Sequence, residues 1–158
     1  MRIATWNING LRARLEFMAL WLKDRQPDVV GLQEIKIPDE EFPHDFFADL
    51  GYQATVYGQK SWNGVAVLSR TDAQLVQSGL PGEDEFGARL ITTVIEDLDF
   101  TTVYCPNGKT VSHEDYANKL TWYDSLAAYW PDSDHPNRVL CGDFNIVPSA
   151  LDSWRGDD

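Results

Sequence analysis

The chain has 158 residues, 43% hydrophobic and 24% charged, which is enough for a packed core in a single domain over residues 1–158. Its 25 acidic side chains outnumber 13 basic ones, giving a net charge of −12 that excludes broad electrostatic attraction to nucleic acid and leaves only local basic patches for it. No apolar run approaches the ~20 residues of a membrane span, and the start "MRIATWN" is not a secretion signal, so a soluble, cytoplasmic protein with no membrane partner is expected.

"RIATWN" (2–7) reads as a short buried strand. In "LRARLEFMALWLKDRQ" the residues Leu11, Leu15, Met18 and Leu22 fall at helical spacing, and Pro27 stops that helix. "DVVGLQE" (28–34) is an apolar run without alternation, the pattern of a strand covered on both faces. "FPHDFFADLG" reads as a short helix, with Pro43 near its first turn and Gly51 just past its end. Five strand-like runs follow, "YQATVYG", "GVAVLSR", "AQLVQSG", "ARLITTVIED" and "FTTVYC", joined by turn-rich segments. "HEDYANKLTWYDSLAAYW" (113–130) returns to helical periodicity, and "RVLCG" (138–142) is a last strand. The fold class is therefore α/β, without repeats or linkers. Cys105 and Cys141, the only cysteines, lie in or beside apolar strands and are expected to be reduced core thiols.

Three apolar strands end in polar signatures, "TWN", "LQE" and "GDFN". Strand ends are where open α/β sheets bind ligands. The side chains concerned, Asn7, Glu34, Asp143 and Asn145, offer only hard oxygen ligands, a set that suits Mg²⁺ or Mn²⁺ rather than zinc. A fourth strand end, "TTVYCPNG", adds Tyr104 and Asn107, a phenol and an amide able to hydrogen-bond a phosphate oxygen. Taken singly, Tyr104 also reads as a half-buried strand tyrosine and Asn107-Gly108 as a tight turn.

"WNINGLRAR", "QPDVVGLQEIK", "GQKSWNGVAVLSR", "VYCPNG" and "LCGDFNIVPSALD", in that order, resemble the exonuclease III type of AP endonuclease, a branch of the endonuclease/exonuclease/phosphatase superfamily. The resemblance implies a four-layer α/β/β/α sandwich of the DNase I-like kind, of which this chain has strands for one sheet and part of the other. It implies that Glu34, helped by Asn7, holds the divalent metal. Asp143 would activate the attacking water, and Asn145 would steady Asp143 and contact the phosphate with Tyr104 and Asn107. Lys36 would sit near Glu34. Arg12, Arg14, Lys60, Arg70 and Lys109 lie in or beside these motifs and could hold flanking phosphates, although each alone also reads as a solvated surface charge. The implied reaction is Mg²⁺- or Mn²⁺-assisted phosphodiester hydrolysis on double-stranded DNA, at abasic sites or 3′ ends.

The family's chain continues well past the "GDFN" motif, so this sequence reads as a member truncated after it. The later part of the family brings a further metal-site Asp, a Ser-Asp-His motif and an apolar pocket, and none follows Asp158. "SDHP" (133–136) does not replace that motif, because His135 precedes Asp143 by eight positions. Most of that interval is a strand, which separates the two by roughly 26 Å if fully extended. His44 and His113 suit helix starts. Impaired catalysis is expected, and so is a homodimer through the apolar sheet face and open edges that truncation exposes. Two other readings stay open. One is a superfamily phosphatase acting on a small phosphoester, and the other is a non-catalytic remnant that binds metal, DNA or a partner chain.

Overall fold

The structure, a computed structural model, describes residues 1–130 and 137–152. The "SDHP" stretch with His135 lies outside the described residues.

Among the described residues, eight strands and three α-helices follow one another in the order β1 (Ile3–Asn7), α1 (Leu15–Arg25), β2 (Val29–Gln33), α2 (His44–Asp49), β3 (Gln53–Tyr57), β4 (Val65–Ser69), β5 (Ala73–Ser78), β6 (Leu90–Ile95), β7 (Leu98–Tyr104), α3 (Glu114–Tyr129) and β8 (Arg138–Asp143). Every element expected from the sequence is present, with ends shifted by two residues at most except at the first helix, which begins at Leu15 because Arg12–Arg14 form a separate 3-10 turn. The strands divide equally into two four-stranded sheets, β1-β2-β4-β3 and β5-β6-β7-β8, where the resemblance pointed to one sheet and part of another.

The sheets lie face to face, β1 over β8, β2 over β7, β4 over β6 and β3 over β5. The space between them is filled by Val29, Val65, Val67, Ile91, Ile95, Leu98 and Phe100. β2 and β4 are buried along their whole length because they are central strands with a second sheet on one face and helices on the other. This explains why "VVGLQ" does not alternate. The sheets approach closely at Gly31, where a Cβ would lie 2.6 Å from Thr102 Oγ1.

Outside the first sheet, Met18 and Leu22 of α1 and Phe47 of α2 pack on Val30, Leu32, Ala66 and Leu68. Gln26 ends α1 in the left-handed conformation and donates its N–H to Leu22 O at 3.0 Å, one residue before Pro27. Outside the second sheet, Trp122 and Leu126 of α3 pack on Leu90, Val103 and Cys105. His113 caps α3 by accepting from Asp115 N at 3.1 Å. The result is the four-layer α/β/β/α sandwich.

β1 and β2 are parallel, and so are β7 and β8. The carboxyl ends of all four strands therefore come to one pole of the sandwich, bringing Asn7, Glu34, Tyr104 and Asp143 there together. β1 pairs only with β2 and β8 only with β7 among the described residues, so this side of both sheets is an open edge. No helix of the described residues is long and apolar enough to cross a membrane.

Candidate functional site

Asn7 holds the site together. Its Nδ2 donates to Glu34 Oε1 at 2.7 Å and to Asp143 Oδ2 at 2.8 Å, so two carboxylates from opposite sheets share one amide nitrogen. Asn7 Oδ1 is taken by Asn9 N at 3.0 Å. The amide thus turns its donor end, rather than the oxygen expected of a metal ligand, toward the two carboxylates. Adjacent carboxylates attract hydrogen-bond donors, and an amide can offer either end.

Glu34 follows the last residue of β2 in a left-handed conformation, φ 54°. Such a backbone is unusual for a residue other than glycine. The loop is clamped by Gly10 N to Glu34 O at 2.7 Å and by Ile35 N to Gly64 O at 3.1 Å, with Ile35 fully buried. Lys36 is also left-handed, φ 58°, and its ammonium lies 2.8 Å from Glu34 Oε2 and 2.6 Å from Asn9 Oδ1. Burial alone would raise the Glu34 pKa, but hydrogen bonds from Asn7, Lys36 and Tyr104 outweigh it and hold the carboxyl below its ordinary value. Glu34 is therefore ionised at neutral pH.

Tyr104 donates its phenol to Glu34 and is pushed up to about 12, first by burial and then by the charge of Glu34. It remains a proton donor across the physiological range. Across the site, Asp143 Oδ1 accepts Asn145 N at 2.9 Å. Asn145 Nδ2 donates to Cys105 O at 2.8 Å, and Asn107 Nδ2 donates to Asn145 Oδ1 at 3.2 Å. Asn7, Glu34, Lys36, Tyr104, Asn107, Asp143 and Asn145 therefore form one connected network.

The peripheral cations separate. Lys109 pairs with Asp115 at 2.8 Å and lines an open cleft of about 1290 Å³ beside Asp143, between α3 and the chain after β8. Arg12 pairs with Glu41 on the surface, and Arg14 donates to Asn9 O. Lys60 is exposed in the turn between β3 and β4. Arg70 is displaced most. Its strand runs antiparallel to β2, with Ser69 opposite Val29, so Arg70 lies at the other pole, against Tyr52 and Pro27.

Two supporting residues escaped the sequence reading. Arg89 is half-buried. Its guanidinium stacks 4.8 Å from the Tyr104 ring centre and donates to Tyr104 O at 3.1 Å. Lys119 donates to Asn145 O at 2.6 Å and to Asn107 O at 3.2 Å. Each had a faint signal: Arg89 opens an apolar strand, and Lys119 is the one cation of α3.

Both cysteines are free thiols. Burial lifts Cys105 to about 11 from 9.0. Cys105 and Tyr104 hold their protons more tightly folded than unfolded. The stability they contribute is complete below about pH 9 and is lost as pH rises through 11 to 12. Urea midpoints followed from pH 8 to pH 11 are expected to fall, with Cys105 contributing on the order of 2 kcal/mol.

Among the described residues no group of three or more His, Cys, Asp or Glu is gathered to hold a metal ion. The available donors are the Glu34 and Asp143 carboxylates, because the Asn7 amide presents its NH₂ to them and its oxygen to Asn9 N. These fit Mg²⁺ or Mn²⁺ in kind, since such ions accept one or two carboxylates and fill the remaining positions with water and phosphate oxygen.

The chain is 36% identical to exodeoxyribonuclease III of Haemophilus influenzae over 166 aligned positions, covering 100% of this chain and 62% of the relative. Among solved structures, an AP endonuclease from Archaeoglobus fulgidus superposes with a TM-score of 0.89 at 36% identity. A Neisseria 3′ phosphatase bound to product DNA hairpin superposes with a TM-score of 0.90, also at 36% identity. Each alignment covers 94% of this chain and 59% of the solved one. The chain thus spans about three fifths of the length of the relatives it matches. The profile of one family matches residues 4–158, from β1 past the "GDFN" motif, and the chain therefore belongs to the Endonuclease/Exonuclease/phosphatase family.

Proposed function

We propose that this chain carries the catalytic half-site of a divalent-metal-dependent phosphodiester hydrolase acting on double-stranded DNA, at abasic sites or 3′ ends. The observation that carries the reading is the Asn7 bridge, which sets Glu34 and Asp143 at one pole although they lie on different sheets. Relatives named for exodeoxyribonuclease III and AP endonuclease activity support the DNA substrate.

Glu34, kept ionised by its donors, would hold the cation, with the Asn7 amide beside it. A bound Mg²⁺ or Mn²⁺ would neutralise charge on the phosphoryl oxygens and the leaving group. Asp143 would accept the proton of the attacking water, its orientation fixed by Asn145 N. Water oxygen would bond to phosphorus as the bond to the leaving oxygen breaks. Tyr104, a phenol that stays protonated, and the Asn107 amide would donate to the phosphate oxygens. Lys119 and Arg89 would keep Asn107, Asn145 and Tyr104 in register through their backbone carbonyls.

The test is cleavage by the 158-residue chain of a labelled duplex with one abasic site, an undamaged duplex and a duplex bearing a 3′ phosphate. Metal-dependent nicking at the abasic site, abolished by a chelator, is the expected result. Because only two carboxylates of the described residues reach the site, the expected rate is below that of the Haemophilus relative assayed beside it. Release of the 3′ phosphate without nicking would favour a phosphomonoesterase, a reading supported by the likeness to the Neisseria 3′ phosphatase. Metal binding without turnover on any duplex would favour a non-catalytic remnant.

A further inference from the structure

We infer that Lys36 is a resident counter-cation of the site, occupying Glu34 in the metal-free protein and competing with the divalent ion for it. This rests on the reading of Glu34 as the metal-holding carboxylate.

The placement of the ammonium is built into the chain. Glu34 and Lys36 flank the fully buried Ile35. Ile35 N is tied to Gly64 O, Lys36 N to Asn63 O at 3.0 Å, and Ile35 O receives Leu11 N at 3.1 Å. With both flanking residues left-handed, the two side chains leave this clamp toward each other and meet at 2.8 Å. Asn9, a third left-handed residue, supplies the second acceptor, and its own loop is held by Arg14. Left-handed backbone at three such residues is costly unless the surrounding structure imposes it.

The pair is also sheltered. The Lys36 side chain is 28% exposed and that of Glu34 17%, so water and salt screen the contact less than a surface ion pair. An ion approaching Glu34 meets both carboxylate oxygens already engaged, Oε1 by the Asn7 amide and Oε2 by the Lys36 ammonium, and a positive charge within contact distance. In the metal-free state the same contact offsets repulsion between Glu34 and Asp143. The carboxylates are then held in place before metal arrives, at the expense of affinity for it. A lysine that merely propped Glu34 in a ligating posture would have the opposite effect, since its loss would weaken metal binding.

Calorimetric titration of Mn²⁺ into the DNA-free chain decides between these roles. Lys36→Gln and Lys36→Met are expected to bind Mn²⁺ about tenfold tighter than the unaltered chain, and Lys36→Arg, which keeps the charge, within about threefold of it. Equal or weaker binding by both neutral variants would overturn the inference. Glu34→Gln separates the two levels. If it abolishes binding while the Lys36 variants leave affinity unchanged, the competition is refuted and the site reading stands. If Glu34→Gln leaves binding intact, the ion sits elsewhere and both fail.

Discussion

Replacing Asp143 by Asn is expected to lower phosphodiester cleavage by about 10²–10⁴-fold, the range that a positioned general base contributes. The substitution preserves shape, so Oδ1 can still accept Asn145 N. It removes the charge and puts an amide where Oδ2 now accepts Asn7 Nδ2 at 2.8 Å. If the new amide turns its nitrogen there, two donors face each other, at about 1–3 kcal/mol in stability. The urea midpoint therefore needs measuring beside the rate, so that loss of fold is not read as loss of chemistry. Glu34→Gln is expected to fail differently, losing calorimetric metal binding as well as cleavage, whereas Asp143→Asn keeps part of the metal affinity. Cleavage by Asp143→Asn within a factor of a few of the parent would remove Asp143 from the proton-accepting role.

How far the sequence reveals such a site depends on the kind of partner each residue takes. Asn7, Glu34, Tyr104 and Asp143 were legible because each sits where an apolar run stops, and parallel pairing brings those stops to one pole. The elements themselves were legible for the same reason: the change from helical to strand periodicity is local. The pairing was not, because nothing in "GVAVLSR" records that its strand runs against β2. Arg70 therefore looks like a neighbour of the site in the sequence yet lies at the far pole. Arg89 and Lys119 were missed because they donate to backbone carbonyls of Tyr104, Asn145 and Asn107, and a carbonyl leaves no mark in a sequence. Lys36 was placed near Glu34 correctly, but its second partner, Asn9, depends on a left-handed turn at an asparagine that the chain pattern does not announce.

Gly142→Ala is expected to destabilise the fold by about 4 kcal/mol, and the reason lies one residue before the carboxylate that the proposed chemistry needs. Gly142 is in β8 opposite Val103 of β7, with φ 143°, a conformation that side chains with a Cβ rarely adopt. A Cβ there would overlap Val103 O, far inside van der Waals contact distance, and fall 2.8 Å from Val103 N. These are backbone atoms of a central strand and cannot move aside as the end of a flexible side chain could. β7 is fixed between β6 and β8, and its Val103 packs on Trp122 in the core under α3. Relief has to come from β8, the open-edge strand, by separation of its end from β7. That end carries Asp143, whose carbonyl receives Cys105 N at 2.8 Å and whose carboxylate meets Asn7. A loss of about 4 kcal/mol is a large share of the 5–15 kcal/mol that holds an ordinary domain folded. Gly82→Ala is the matched control. Its φ of 81° is also unusual for alanine, but beyond its chain neighbours no atom of the described residues lies within 4 Å of the added methyl, so about 1 kcal/mol of backbone strain is the whole expected cost. Urea midpoints of the two variants separate close approach from conformational strain. Equal midpoints would mean that β8 yields without cost and that the edge strand carrying Asp143 is not held to β7 as the register implies.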